Sequence, residues 1–276
     1  MVPSLDLIRR TRETEVAYTI SRMRILERLP GNPVGIACRE VDDSLWALMA
    51  RAIPSPSFNR VTGLRGGHER HIAPLVAWYR ERGVAGRFEL VPGESGAGPA
   101  RELARLGYHH SDHHVAAIGD AEPPASGNET PSVEAVTTGP QLEAYLDAYV
   151  AGWGVPPEHR ERFKANVRPW LGEPGWSLYL ARVDGHPAAA GTLYLRDRVG
   201  YFADAATDPA FRGRGLQTAL LQRRWREAAA AGVDFVCSGA SFLSSSHRNL
   251  ERLGMRILFI RSIWIPLPEL SKETNP

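Results

Sequence analysis

The sequence predicts a mixed α/β protein made of two similar halves, each a sheet flanked by helices. Three observations point there. Residues 141–265 alternate helix-like and strand-like patterns. A helix-end motif recurs in both halves, and the turn Arg212-Gly213-Arg214-Gly215 joins a strand end to a helix start.

The chain has 276 residues, 43% hydrophobic and 23% charged, a balance that can bury a sizeable core. Net charge is only +2, so no global field argues for nucleic acid or an anionic membrane. Cys38 and Cys237 each sit in an apolar run and read as buried, reduced thiols rather than a disulfide scaffold. Residues 1–12 lack an apolar signal core and no apolar stretch is long enough to span a bilayer, so the expectation is a cytoplasmic protein.

The segment from Asp120 to Pro131 is rich in Pro, Gly and small polar residues and reads as a linker. On either side of it, Arg101-Glu-Leu-Ala-Arg-Leu-Gly-Tyr108 and Arg248-Asn-Leu-Glu-Arg-Leu-Gly-Met255 match at one offset. Each is a short helix stopped by a glycine, Gly107 or Gly254, and each leads into a strand, Val115–Ile118 or Leu258–Ile265. Upstream, a helix ending at Gly83 precedes strand Arg87–Val91, as a helix ending at Gly232 precedes Val233–Cys237. Two matched elements in the same order indicate a duplicated domain.

In the second half, Gln141–Ala151 and Glu158–Trp170 read as helices. Trp176–Arg182 alternates and is a strand; Asp184-Gly185 is a hairpin turn, and Ala188–Leu195 is the partner strand. Val199–Thr207 is the next strand and Leu216–Ala231 a helix whose apolar face holds Leu216, Leu220, Leu221, Trp225, Ala228 and Ala229. Arg223, Arg224 and Arg226 are expected on its solvated side.

A helix N-terminus carries unpaired N–H groups and partial positive charge, so a strand–turn–helix favours anions. Gly213 and Gly215 let backbone approach a phosphate, and Arg212 and Arg214 add charged donors. The kinase-type loop fails because no lysine follows either glycine. The dinucleotide fingerprint fails because Thr218 stands at the third glycine.

Thr207-Asp-Pro-Ala-Phe-Arg-Gly-Arg-Gly-Leu-Gln-Thr-Ala-Leu-Leu221 resembles the acetyl-CoA motif of the GNAT superfamily of N-acetyltransferases. Arg212 and Gly215 match the core pattern Gln/Arg-x-x-Gly-x-Gly/Ala, while Gln217 replaces its last small residue. The helix ending Leu253-Gly254-Met255 resembles the family's last helix, with methionine for an aromatic. The resemblance covers residues 132–265. It implies two GNAT-like domains, each a mixed, largely antiparallel central sheet flanked by helices: 1–120 degenerate, 121–131 a linker, and 132–276 binding acetyl-CoA, with no metal. It further implies that Ala205, Ala206 and Thr207 pair with the pantetheine arm. Backbone N–H groups of Arg212, Gly213, Arg214, Gly215, Leu216, Gln217 and Thr218 hold the pyrophosphate, and Ser246, Arg248 and Asn249 touch pantetheine or the adenosine phosphate.

The implied reaction moves an acetyl group to a primary amine of a small molecule by direct attack. Transfer needs a neutral amine, a donor to the carbonyl oxygen and a proton for the leaving thiolate. Asp204 is the candidate base, a mid-strand carboxylate in the apolar run Tyr201–Ala206, where burial raises a carboxyl pKa; the alternative is that it only hydrogen-bonds a neighbouring loop. Relatives place a tyrosine acid where this chain has Leu250, leaving Ser245, Ser246, His247 or water. Two other readings stand beside this one: an acetyltransferase like mycothiol synthase, which the tandem arrangement resembles, and a non-catalytic acyl-CoA-binding sensor. The acceptor is a small molecule, with neither nucleic acid nor membrane as partner, and the chain is a monomer or homodimer.

In the first half, Arg60-Val-Thr-Gly-Leu-Arg-Gly-Gly-His68 keeps Arg60 and Gly63 of the loop pattern but has Arg65 at the small position, so this half is read as degenerate. His109, His110, Asp112, His113 and His114 look metal-binding, yet adjacent side chains of an extended segment point to opposite faces. Trp153, Trp170 and Trp176 read as core more than as substrate contacts.

Overall fold

A helix of 23 residues, α1 (Leu5–Glu27), comes first, and its inward side is unusually polar: Thr11, Arg12, Thr14, Glu15 and Thr19 are all buried. Thr14 and Thr19 satisfy their hydroxyls on the carbonyls of Arg10 and Glu15, one turn back. The computed structural model describes residues 2–53, 58–125 and 131–267. After α1 follow β1 (Ile36–Asp42), β2 (Leu45–Ala50), β3 (Arg60–Leu64), α2 (Glu69–Arg80), β4 (Arg87–Leu90), α3 (Gly98–Arg105) and β5 (Tyr108–Asp120). The chain continues with β6 (Val133–Ala135), α4 (Gly139–Gly152), α5 (Arg160–Val167), β7 (Trp176–Val183), β8 (His186–Arg196) and β9 (Val199–Thr207). It closes with α6 (Leu216–Ala230), β10 (Phe235–Ser241), α7 (Ser245–Arg252) and β11 (Arg256–Pro266).

The chain forms two compact units: Met1–Ile25 with Val115–Leu258, and Leu26–His114 with Phe259–Pro276. This differs from a division at residue 120. The reason lies in pairing that composition cannot reveal. β11 returns to pair antiparallel with β4, with Ile263 opposite Glu89. Most of α1 instead belongs to the unit holding the later strands. Residues 126–130 of the expected linker and the tail from 268 lie outside the described residues.

The duplication is visible in the strand pattern. In one unit β1–β2 and β2–β3 are antiparallel and β3–β4 parallel. In the other, β7–β8 and β8–β9 are antiparallel and β9–β10 parallel, with β6 antiparallel at the edge. Each unit is thus a mixed, largely antiparallel sheet. The hairpin turn at Asp184-Gly185 has positive φ at both residues, 49° and 78°, as a type I′ turn requires.

Two faces of β9 build the core of the later unit. Phe202 packs toward α6, with Leu220, Leu221, Trp225 and Ala228 all buried there; each such large apolar side chain contributes about 1.5–3 kcal/mol. Tyr201, the next residue along, points to the other face, where its ring lies 5.0 Å from that of Tyr18 on α1. Tyr18 also meets Trp176 and Tyr194 at 5.1 and 5.8 Å, and Trp176 Nε1 donates to Ser21 Oγ at 2.9 Å.

Candidate active site

The site begins with two irregularities in β9. Thr192 pairs with Ala203 and Ala190 with Ala206, so Asp204 and Ala205 together face the single residue Gly191. This is a β-bulge, and Asp204 adopts a φ of 47° to make it. On the other side β10 runs parallel only from Phe235↔Val199 to Ser238↔Phe202. Beyond that the two strands part, and the edge from Ala203 to Thr207 has no partner on β10.

The turn after β9 presents its backbone to the same space. Gly213 and Gly215 have φ of 78° and 73°, and a Cβ on either would meet nothing within 4 Å. Gly215 precedes α6 with no side-chain cap. The N–H of Arg212 donates to Pro209 O at 3.4 Å, which removes it from the expected row of donors. Among the described residues none accepts from the N–H groups of Gly213 to Thr218, leaving the first turn of α6 open to an anion. The bulkier Gln217 turns back: its Nε2 donates to Thr207 Oγ1 at 2.7 Å, tying the turn to the end of β9.

These features open on one cleft of about 590 Å³. Of the residues expected at the coenzyme, Ala205, Ala206, Thr207, Arg212, Gly213, Gly215, Leu216, Gln217, Thr218, Ser246 and Asn249 line it together. Arg214 and Arg248 do not. The Arg214 guanidinium stacks 5.7 Å over the Phe211 ring, and Arg248 Nη2 donates to Leu243 O at 2.7 Å, so both charges are turned aside. The sequence did not single out Gly152, which lines the cleft beside Trp153. A Cβ at Gly152 would lie 2.7 Å from Ala206 Cβ and 2.8 Å from Thr207 N, so only glycine lets α4 end against β9.

Asp204 lies beside the cleft, not in its lining. Its side chain is 6% exposed. The apolar setting read from its strand neighbours is replaced by polar partners from elsewhere in the unit. The Tyr18 hydroxyl donates to Oδ2, while Arg22 Nη1 and the Tyr149 hydroxyl each reach Oδ1 at 3.4 Å. Burial, and then the Asp204 charge, push the hydroxyls of Tyr18 and Tyr149 well above the usual tyrosine range. Burial is the largest single influence on Arg22 and works against its charge, but Asp204, Tyr18 and Tyr149 together outweigh it and the guanidinium is held more firmly protonated. Tyr18, Arg22 and Tyr149, with Gly152, are site residues that sequence reasoning missed.

Other expectations fare unequally. Leu250 is buried, and His247 is too, its Nδ1 accepting from Leu243 N at 3.1 Å; Ser245 and Ser246 remain on the cleft. Trp170 and Trp176 are core, whereas Trp153 is 54% exposed. Arg224 is 1% exposed, contrary to a solvated position beside Arg223 and Arg226. Cys237 is buried, Cys38 only half-buried, and neither forms a disulfide. The histidine run lies in β5, and among the described residues no three His, Cys, Asp or Glu side chains gather as a metal site. Among them, too, no helix is long and apolar enough to cross a membrane.

The equivalent turn in the other unit is closed. Arg60 and Gly63, aligned by sequence with the loop, lie inside β3, and the connection to α2 is only Arg65–His68. Gly63 has φ of 82° and a Cβ there would fall 1.8 Å from Ser44 O, so it serves close strand packing. The N–H of Gly66 donates to Glu94 O at 3.0 Å and that of Arg65 to His68 Nδ1 at 3.2 Å. β3 and β4 pair at Val61↔Phe88 and, past an irregularity at Thr62 and Gly63, pair again at their last residues, Leu64 with Leu90. Protein acceptors and strand pairing occupy what the later unit leaves open.

Comparison with known proteins agrees with this fold. Residues 125–242 match the family model described as the Acetyltransferase (GNAT) domain. A GCN5-related N-acetyltransferase from Kribbella flavida is similar in fold, with a TM-score of 0.65 at 14% identity, over 92% of this chain and 95% of that one. A GCN5-related N-acetyltransferase from Sphaerobacter thermophilus aligns over 82% and 81%, with a TM-score of 0.57 and 18% identity. A tandem GNAT protein from the clavulanic acid biosynthesis pathway aligns over 80% and 77%, with a TM-score of 0.58 and 15% identity. No curated protein matches the sequence.

Proposed function

Taking residues 125–242 as the GNAT acetyltransferase domain of the chain, we propose that the protein transfers the acetyl group of acetyl-CoA to a primary amine of a small molecule by direct attack. One observation carries this reading: the open N–H row of Gly213–Thr218 and the unpaired edge of Ala205–Thr207 line the same cleft. A diphosphate suits the first, and an extended amide-bearing arm suits the second.

Each residue then has a task. The glycines at 213 and 215 admit the pyrophosphate, and Arg212 adds charge. The backbone of Ala205–Thr207 aligns the pantetheine arm, and the N–H of Ala205 or Ala206 polarises the thioester carbonyl. The amine nitrogen bonds the acetyl carbon as the carbon–sulfur bond breaks, and the proton lost by the amine balances the one gained by the thiolate. Asp204 is the proposed base, with Ser245, Ser246 or water returning the proton.

A specific observation favours a second reading. Among the described residues, the cleft lining contains no carboxylate, histidine, cysteine or tyrosine. A protein that binds acyl-CoA without turning it over needs none. Calorimetry with acetyl-CoA, followed by thiol release across a panel of primary amines, decides between them. Binding with thiol release on some amine is the expected result. Absence of binding overturns both readings, and binding without release on any amine replaces the first with the second.

A further inference from the structure

Arg224 sits on α6, two turns beyond the phosphate-facing end, and is 1% exposed. Burying a guanidinium is costly, and a methionine or leucine of similar bulk would fill the space without that cost. Among the described residues no carboxylate bonds it. Nη1 instead donates to two carbonyls of neighbouring strands, Thr192 O at 3.0 Å and Ala203 O at 3.2 Å, while Nε returns to Leu220 O at 3.0 Å. The Phe202 ring lies 5.2 Å from the guanidinium carbon. Those two carbonyls belong to Thr192↔Ala203, the last pair before the bulge.

Gly191, the residue that the bulge faces, leaves room for this contact. A Cβ there would stand 3.1 Å from Arg224 Cζ and 3.3 Å from Nη1. Burial pulls Arg224 down to about 10, so it stays a cation at neutral pH. The Asp204 charge favours that cation, and the same carboxylate is gripped by Tyr18, Arg22 and Tyr149. The bulge is therefore held from both faces of β9, by Arg224 from α6 and by the Asp204 partners on α1 and α4.

We propose that Arg224 is a positioning residue that fixes the β9 bulge, so that the backbone of Ala205–Thr207 faces the pantetheine arm of the coenzyme. The inference rests on the acetyl-CoA reading. One helix then serves both ends of the ligand: its first turn holds the pyrophosphate and Arg224 sets the strand that aligns the arm.

The test compares two probes on Arg224→Met and Arg224→Lys: acetyl-CoA, and 3′-phosphoadenosine 5′-diphosphate, which lacks the pantetheine arm. With Arg224→Met, acetyl-CoA affinity falls by about tenfold or more, while the nucleotide binds as to wild type because the Gly213–Thr218 turn is untouched. Arg224→Lys recovers part of the loss. If Arg224→Met does not fold, Gly191→Ala displaces the guanidinium from the opposite side and gives the same split between probes. Equal loss of both probes assigns Arg224 to general stability and overturns the inference, as does unchanged acetyl-CoA binding. Failure of the wild-type protein to bind either probe overturns the acetyl-CoA reading and this inference with it.

Discussion

The hydroxyl of Tyr18 donates to Oδ2 of Asp204, joining the N-terminal helix to the bulge of β9. Asp204 is thereby both a fixture of the bulge and the proposed base. The two roles separate by mutation. Tyr18→Phe leaves a buried acceptor unsatisfied and is expected to cost about 1–3 kcal/mol of stability, with turnover retained. Asp204→Asn keeps the shape and removes the charge that faces Arg22. It is expected to lower kcat about 100-fold or more. A kcat unchanged in Asp204→Asn reduces the residue to its structural role.

Stability should respond to alkaline pH in a defined direction. Tyr18 and Tyr149 have folded-state values raised above the ordinary 10.0, chiefly by burial. Their contribution is complete below pH 10 and is lost as pH rises beyond it, because the unfolded chain ionises there and the folded one does not. Arg224, lowered to about 10, acts with the opposite sign over the same range. Tyr145 and Tyr79 are also raised, so the tyrosines outnumber it. The urea midpoint is expected to hold from neutrality to about pH 9 and to fall above about pH 10. A midpoint that rises through that range contradicts the assignment.

The hydrophobic pattern identified β9 to the residue and found the glycine turn, because strand alternation and turn chemistry are local properties. It did not find α1. The buried side of that helix carries Thr11, Arg12, Thr14, Glu15 and Thr19, so apolar periodicity is weak where packing is tight. Nor could local pattern show that β11 pairs with β4, far away in sequence. Arg224 was within reach. It stands four residues after Leu220 and four before Ala228, on the face already recognised as apolar, and composition overrode position. The partners of Asp204 come from α1 and α4, so no motif around Asp204 could have named them.

Gln217, the departure from the family pattern, has a measurable partner in Thr207 at 2.7 Å. If the bond orders the turn for the pyrophosphate, Gln217→Ala and Thr207→Val each weaken acetyl-CoA binding, and the double variant is no worse than either single one. A neutral hydrogen bond contributes about 1 kcal/mol, so each loss is expected at about fivefold. A double-mutant cycle by calorimetry measures the coupling. Strictly additive losses show that the two side chains act independently.

Gly152 offers the most direct probe of how α4 bounds the cleft. The atoms a Cβ would strike, Ala206 Cβ at 2.7 Å and Thr207 N at 2.8 Å, belong to a methyl group and to backbone, and neither can swing away. Gly152→Ala must therefore push α4 and β9 apart, at a cost of about 1–3 kcal/mol. The same displacement moves the edge that faces the pantetheine arm, so acetyl-CoA affinity should fall with stability. Gly139→Ala, at the other end of α4, adds a Cβ that meets nothing within 4 Å and should be neutral or slightly stabilising. Thermal unfolding and calorimetry on the pair isolate the contact from the helix-wide effect of replacing glycine. Equal stability and equal affinity in the two variants contradict a close approach of α4 to β9 at Gly152.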